Sequence, residues 1–252
     1  MKKLTRRQFL LTLPFLGSGA LAAASFLEPH LLRTTHLDMR ELGLGKRIVH
    51  FSDLHFKGNY DFARSLAERI HLLEPDYIVF TGDLVEHQNR TYFEQALQWL
   101  SEFKVPTYGV PGNHDPMDSE SLSKCRKAYA ATGGRFLFGE RVELDGFVLH
   151  GNREADQLRY HERVPKFLLC HYPIVGEQVM RQPYALILAG HSHGGQVRLP
   201  LIGPLILPPG VGRFDRGYFE TTAGKLYVNV GAGTFLFPVR LFCRPEVTEI
   251  LI

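Results

Sequence analysis

Arg47-Ile48-Val49-His50-Phe51-Ser52-Asp53-Leu54-His55 is a compact apolar run that stops abruptly in polar residues. A run of this length with a polar stop reads as a buried β-strand that delivers its polar residues at the C-terminal edge. The pattern repeats outward from it. Phe62, Leu66, Ile70 and Leu73 fall at helical spacing, Pro75 closes that helix, and Tyr77-Ile78-Val79-Phe80 predicts a second strand running into Thr81-Gly82-Asp83. Phe93, Ala96, Leu97 and Leu100 predict another helix, after which Val105 to Val110 leads into Pro111-Gly112-Asn113-His114-Asp115. Strand, polar loop and helix alternate, so the chain reads as α/β units with its chemistry on the rim where strands end.

The second half is richer in strands. Val142 to Leu144 and Phe147 to His150 flank Asp145-Gly146, a two-residue hairpin turn. Phe167 to Cys170 and Ala185 to Leu188 are apolar runs that lead to His171 and to Gly190-His191-Ser192-His193. Lys225 to Val230 and Val247 to Leu251 predict further strands, and the Pro- and Gly-rich stretch from Leu199 to Gly217 reads as a long ordered loop. There is no internal repeat and no disordered linker.

Asp53-x-His55, Gly82-Asp83, Gly112-Asn113-His114-Asp115, His171 and Gly190-His191-Ser192-His193 therefore occur in order, each just after a predicted strand. Each piece alone is weak: Gly-Asp is a common turn, Asp53 and Asp83 also suit helix N-caps, and His171 before Tyr172-Pro173 suits a loop histidine. N-caps would leave the histidines unexplained. Together the pieces resemble the calcineurin-like metallophosphoesterases, over most of the chain from about Arg47 onwards. Gly194-Gly195-Gln196-Val197-Arg198-Leu199-Pro200 is similar to the exported, twin-arginine subgroup. The resemblance implies an α/β fold of two packed mixed β-sheets flanked by helices, an α/β/β/α sandwich. It implies two divalent metal ions, one held by Asp53, His55, Asp83 and His193 and the other by Asp83, Asn113, His171 and His191, with Asp83 bridging.

Mixed carboxylate, imidazole and amide-oxygen ligands suit Mn, Fe or Zn, whereas a structural zinc site normally uses thiolates. Gly82, Gly112 and Gly190 are expected to let the backbone turn sharply beside a ligand. Four positive charges from two ions outweigh Asp53, Asp83 and a bridging hydroxide, so the site attracts a phosphate ester, and coordination lowers the pKa of bound water to about 7. By the same resemblance His114 is the general acid for the leaving group and Asp115 orients and charges its imidazole. Arg198, Arg213 and Arg216, in the loop that begins at a ligand, are candidates for contacting substrate, with the solvated-surface reading equally open. Gly151-Asn152-Arg153-Glu154 departs from the Gly and paired acidic residues of many relatives, and Arg153 reads as surface. The other seven of the twelve histidines, His50 and His150 among them, carry no assigned role.

With 252 residues, 44% of them hydrophobic, the chain has enough material for one catalytic domain. A net charge of +3 without blocks of like charge gives no nucleic-acid groove, so no such partner is expected. Cys125, Cys170 and Cys243 are odd in number and widely spaced, and read as small core residues. The N-terminus differs from the rest. Thr5-Arg6-Arg7-Gln8-Phe9-Leu10 resembles a twin-arginine export signal, and no charge occurs from Gln8 to Phe26. Residues 1–28 thus read as a twin-arginine-like signal or membrane anchor, 29–46 as connector and first strand, and 47–252 as the metallophosphoesterase domain. Ala22-Ala23-Ala24 offers a cleavage site, so release and anchoring both stay open.

The resulting expectation is a phosphomonoesterase or phosphodiesterase in the periplasm, in the cell wall or at the membrane, with the export machinery as a partner. Within the same superfamily the alternative is a UDP-2,3-diacylglucosamine pyrophosphatase of lipid A synthesis, with Leu201, Ile202, Leu205, Ile206 and Leu207 receiving acyl chains of a nucleotide-lipid. From another class, the alternative is a metal-binding scaffold without catalysis, against which the intact ligands and His114 speak.

Overall fold

The computed structural model describes residues 21–151, 163–178 and 183–252. The Thr5-Arg6-Arg7 motif and Asn152, Arg153 and Glu154 lie outside them. Strand β1 (Arg33–Asp38), β2 (Arg47–Phe51), β3 (Tyr77–Phe80), β4 (Thr107–Gly109), β5 (Arg135–Phe136) and β14 (Glu246–Leu251) form one sheet. Its order is β1-β14-β2-β3-β4-β5, parallel except where β14 meets β2. The second sheet uses β6 (Arg141–Leu144), β7 (Phe147–Gly151), β8 (Lys166–Leu169), β9 (Tyr184–Ala189), β12 (Gly217–Glu220) and β13 (Gly224–Val228). Its order is β12-β13-β9-β8-β7-β6, with antiparallel pairs at both edges. Asp145 and Gly146 form the expected hairpin turn, since Leu144 pairs with Phe147.

Alternation along the strands sorts the layers, because successive side chains point to opposite faces. Val49, Phe51, Ile78 and Phe80 face helices α1 (Tyr60–His71), α2 (Arg90–Ser101) and α3 (Ser119–Ala131), where Leu66, Ile70, Phe93, Leu97 and Tyr129 bury their apolar faces. Ile48, Tyr77 and Val79 point the other way, into the layer between the sheets, against Phe147, Phe167, Leu186 and Leu188. On the outer face of the second sheet, Ile187, Leu226 and Val228 are covered by Val175 and Phe214. Strands buried on both faces explain why β2, β3, β8 and β9 read as continuous apolar runs. The cysteines are buried and free, as small core residues.

Each of the three helices starts on a capping side chain: Asn59 accepts from Phe62 N–H, Asn89 from Tyr92 N–H and Asp118 from Ser121 N–H. Helix α3 goes beyond the sequence reading, because its buried face is made of Ser121, Cys125, Ala128 and Tyr129, too small and polar to print a hydrophobic period. The stretch after Leu199 is irregular as expected, but it opens with a two-stranded ribbon of β10 (Arg198–Leu199) and β11 (Gly203–Pro204).

Phe51, the last residue of β2, touches Phe80 with ring centroids 4.8 Å apart and Trp99 at 6.2 Å. Phe51→Ala is expected to lower the unfolding free energy by about 3 to 5 kcal/mol. A urea titration showing a loss under 1 kcal/mol would mean that the helical layer closes over the gap, as such cavities seldom do.

Candidate metal centre

The predicted ligands follow β2 (Asp53, His55), β3 (Asp83), β4 (Asn113), β8 (His171) and β9 (His191, His193), so the C-terminal ends of parallel strands from both sheets meet at one place. Backbone bonds lock the loops together. Asp53 N–H donates to Gly82 O (2.9 Å), His55 N–H to Asp83 O (3.0 Å) and His114 N–H to Asp83 Oδ1 (2.8 Å). His191 N–H donates to the Asp53 carboxylate at 3.0 and 3.1 Å, tying the second sheet to the first.

Two donor clusters result, Asp53 with His55 and His193, and Asp83 with His171 and His191, every member buried. His55 Nε2 and His193 Nε2 stand 3.1 Å apart, and His191 Nδ1 is 3.1 Å from His171 Nε2, which lies 3.0 Å from Asn113 Oδ1. Asp83 Oδ2 sits between the clusters, 3.6 Å from His55 Nε2 and 3.3 Å from His171 Nε2. The seven residues expected as ligands are thus brought together, with Asp83 Oδ2 lying between the two clusters.

The donor set fits divalent cations for a reason of lone pairs. His171 Nδ1 donates to Thr81 O (2.8 Å) and His191 Nε2 to Pro209 O (2.7 Å), which leaves the facing nitrogens of the neutral rings as acceptors. Acceptors aimed at Asn113 Oδ1 and at a carboxylate oxygen repel one another unless a positive species sits among them. Without a metal a proton takes that part. Burial opposes charge on His171, but the Asp83 carboxylate beside it outweighs burial and raises its pKa to about 10, while Asp83 itself is held well below the usual carboxylate range. A cation held there would take the place of that proton. Burial depresses His55 to about 3 and His191 to about 4, and lifts Asp53 to about 7.

The crowding explains the glycines more than turning does. Gly82 does take a left-handed φ of +93°, but Gly112 and Gly190 do not. A Cβ on Gly112 would lie 2.0 Å from Asp83 Oδ1, and one on Gly190 1.9 Å from Ser52 Oγ. Left-handed backbone is carried instead by the ligands: Asp53 (φ 49°), His55 (44°), Asp83 (60°), His191 (66°) and His193 (49°).

His114 is half-buried at the edge, its ring 5.4 Å from His55, 5.3 Å from His87 and 4.8 Å from Phe235, and its Nδ1 accepts from His87 N–H at 3.3 Å. The proposed pairing of Asp115 with that imidazole requires correction. The Asp115 carboxylate points back into the fold and accepts from Asp83 N–H (2.9 Å), Leu84 N–H (2.8 Å), Val85 N–H (3.3 Å) and Gly112 N–H (2.8 Å). It shapes the loop that presents Asp83. Among the arginines, Arg198 is buried and donates to Asp215 (2.7 Å) and Gly194 O (2.8 Å), Arg213 lies over the Phe214 ring, and Arg216 reaches Phe242 O.

Three features escaped the sequence reading. Arg240 is fully buried behind Asp53 and donates to the carbonyls of Val230 (2.9 Å), Gly231 (3.1 Å), Gly233 (2.6 Å) and Cys243 (3.0 Å). Phe235 packs over His55, His87 and His114, and Gln196 clamps it by accepting from its N–H (2.6 Å) and donating to its carbonyl (3.0 Å). Glu86 ties the same loop to the site, accepting from Leu236 N–H at 3.0 Å and pairing with Lys57. An arginine reads as surface and a phenylalanine as core, so neither residue type signals such a place.

A model of the calcineurin-like phosphoesterases matches residues 46–195. The chain belongs to this family. The uncharacterized metallophosphoesterase YkuE of Bacillus subtilis (strain 168) is 31% identical, over 98% of this chain and 97% of its own. The phosphodiesterase YaeI of Escherichia coli (strain K12) is 30% identical, over 80% of each chain. The UDP-2,3-diacylglucosamine pyrophosphatase LpxG of Chlamydia muridarum (strain MoPn / Nigg) is 24% identical, over 89% of this chain and 90% of its own. As a metallophosphoesterase, the protein is a metal-dependent phosphoester hydrolase.

Asp115→Asn replaces one acceptor oxygen by a donor that faces two N–H groups. It is expected to cost about 1 to 3 kcal/mol in urea unfolding and to lower bound metal, measured by elemental analysis. Unchanged stability and metal content with lost turnover would return Asp115 to the His114 imidazole.

Proposed function

We propose that the protein is a phosphodiesterase of the cell envelope, exported by the twin-arginine route and working with two divalent metals. The observation that carries the two-metal reading is the position of Asp83 Oδ2 between the two histidine clusters. When bound, the ions supply electrophilic polarisation of the phosphoryl oxygens and a water deprotonated near neutral pH. Asp53, His55, Asp83 and His193 would hold one ion, and Asp83, Asn113, His171 and His191 the other; Mn, Fe and Zn all suit the donors.

The chain's own residues do the rest. Phe235 walls the His55 and His114 side of the site and limits water there. His87 N–H donates to His114 Nδ1, which orients the ring and leaves the proton of its neutral form on Nε2, free to hydrogen-bond a phosphoryl or leaving-group oxygen. Protonating a departing alkoxide would require the ring to take up a second proton first. The diester preference is supported by the relative YaeI, a phosphodiesterase, and export by the Arg6-Arg7 motif followed by an uncharged segment. Among the described residues no helix is long and apolar enough to cross a membrane.

Two variants test the reading on bis-p-nitrophenyl phosphate and p-nitrophenyl phosphate with added Mn²⁺. Asp83→Ala is expected to lose metal and turnover together, and His114→Ala to keep metal while kcat falls by about 10² to 10⁴. Full turnover in Asp83→Ala would defeat the dinuclear reading. Faster cleavage of the monoester than of the diester would defeat the phosphodiesterase assignment.

A second reading, cleavage of the pyrophosphate in UDP-2,3-diacylglucosamine, is favoured by the full-length likeness to LpxG and by exposed Leu201, Ile202 and Ile206 near the site. Here UMP release from that nucleotide-lipid is expected under conditions where the simple diesters turn over. Cleavage of the diesters with no UMP would remove it.

A further inference from the structure

Sixteen large apolar side chains are exposed among the described residues, and eleven of them lie on three short segments, 21–31, 201–206 and 236–242. These segments are neighbours. Arg240 N–H donates to Ser25 O at 2.9 Å, Phe242 N–H and Cys243 N–H donate to the Glu28 carboxylate at 2.6 and 2.8 Å, and Arg198 N–H donates to Leu241 O at 2.9 Å. Leu205 N–H closes the strip by donating to Val197 O at 3.1 Å. The strip also borders the metal centre, since residues 196–206 follow the ligand His193 and residues 236–242 follow Phe235, the ring over His55 and His114.

Its tips are built rather than slack. Leu201 (φ 67°), Leu236 (φ 56°) and Phe242 (φ 53°) hold left-handed backbone, which bulky residues rarely adopt and Gly or Asn would adopt at lower cost. Leu201 is exposed as fully as a residue can be, and Ile206 and Phe237 are 79% and 68% exposed. Beneath the tips the Gln196–Phe235 clamp and the Arg198–Asp215 ion pair fix the roots. Exposed apolar side chains clustered on neighbouring segments mark an interaction site.

The chain itself indicates the occupant. Residues 21–27 are helical and leave the domain beside residues 240–243, and they complete the run from Gln8 to Phe26 that carries no charge and follows Lys2, Lys3, Arg6 and Arg7. An uncharged run of that length seeks an apolar phase. Exposed Arg216 and Arg244 flank the strip, with Arg216 reaching Phe242 O and Arg244 donating to Leu31 O at 2.7 Å, as suits anionic headgroups.

We propose that the apolar strip of residues 201–206 and 236–242 is a bilayer-docking surface that seats the mouth of the metal centre on an anionic membrane. It deepens the placement at the envelope in the proposed function and rests on that reading, while its readout is separate from that of the phosphoester chemistry. Apolar tips enter the acyl boundary while the arginines stay among headgroups, so a phosphoester at the membrane surface meets the metal ligands without leaving it.

The test uses the full chain with an environment-sensitive fluorophore at Leu201→Cys or Phe237→Cys, and at Leu72→Cys, an exposed leucine after α1, as control. The native cysteines are buried and leave the label to the introduced site. With vesicles of phosphatidylcholine and phosphatidylglycerol, a blue shift and several-fold quenching by brominated acyl chains are expected at positions 201 and 237 and not at 72. Vesicle-bound protein with no shift at 201 and 237 would show that the N-terminus alone tethers it and would overturn the proposal. A shift without vesicles that grows with protein concentration would overturn it in favour of a second copy. Turnover of the soluble diester on the same labelled proteins reports the phosphoesterase reading separately.

Discussion

Everything at the metal centre depends on holding the Asp83 carboxylate, deep in the protein, within reach of histidines that come from different sheets. Its Oδ2 lies 3.6 Å from His55 Nε2 and 3.3 Å from His171 Nε2, while Oδ1 accepts the His114 N–H. Such a position exists only if β2 and β3 of one sheet end level with β8 and β9 of the other. That alignment is set by the apolar layer between the sheets, in which Ile48 and Val79 meet Phe167 and Leu188. It leaves so little space that the loop after β4 must approach as bare backbone, which is the role of Gly112. Two buried acids compensated only by the proton on His171 are costly. The fold therefore stores an electrostatic deficit that cations relieve, and metal affinity follows from the packing that enforces the burial.

Backbone strain is the other side of that constraint. Of the twelve described non-glycine residues with positive φ, all but Glu74 belong to the metal centre or the loops around it. A left-handed conformation of such residues costs on the order of 1 to 3 kcal/mol each. The gross cost is comparable to the net stability of a domain, about 5 to 15 kcal/mol. It is met by bonds that over-determine the loops: the four N–H groups on Asp115, the carbonyls gathered by Arg240, and the His191 N–H on Asp53. The strain has a geometric return. His191 and His193 are two residues apart, yet the first joins Asp83 and His171 while the second joins Asp53 and His55. With both residues left-handed, a single His-x-His turn serves both clusters.

This division decides what the sequence could reveal. The gathering of these residues at one place was legible because each is a polar residue placed directly after an apolar run, and a strand buried on both faces leaves that run uninterrupted. Gly82 and Gly112 were legible as necessary, although for Gly112 the reason is close approach and not its own backbone angle. Asp115 was misread because adjacency to His114 says nothing of side-chain direction, and its carboxylate in fact turns towards the peptides of Asp83 and Leu84. Arg240 was invisible for a general reason: a guanidinium is ordinarily solvated. Only the tertiary gathering of the Val230, Gly231, Gly233 and Cys243 carbonyls around it makes a buried one tolerable, and no local pattern encodes that. Helix α3 hid because Ser121, Cys125 and Ala128 supply its buried face.

The same loops that close the metal centre also carry its apolar surroundings, and the two properties need one another. Residues 196–206 and 235–242 are rigid at the root, where Gln196, Arg198 and Arg240 bind peptide groups and Asp215. A loose loop with exposed Leu201, Ile202 and Phe237 would fold them inward, because each apolar side chain gains about 1.5 to 3 kcal/mol on burial. Here the roots are held: Phe235 packs on His114 with ring centroids 4.8 Å apart, and Gln196 binds both peptide groups of Phe235. The polar bonds that hold Phe235 beside His114 also fix the roots of the apolar tips. Relaxing one would disturb the other, which couples the chemistry of the site to whatever apolar phase the tips meet.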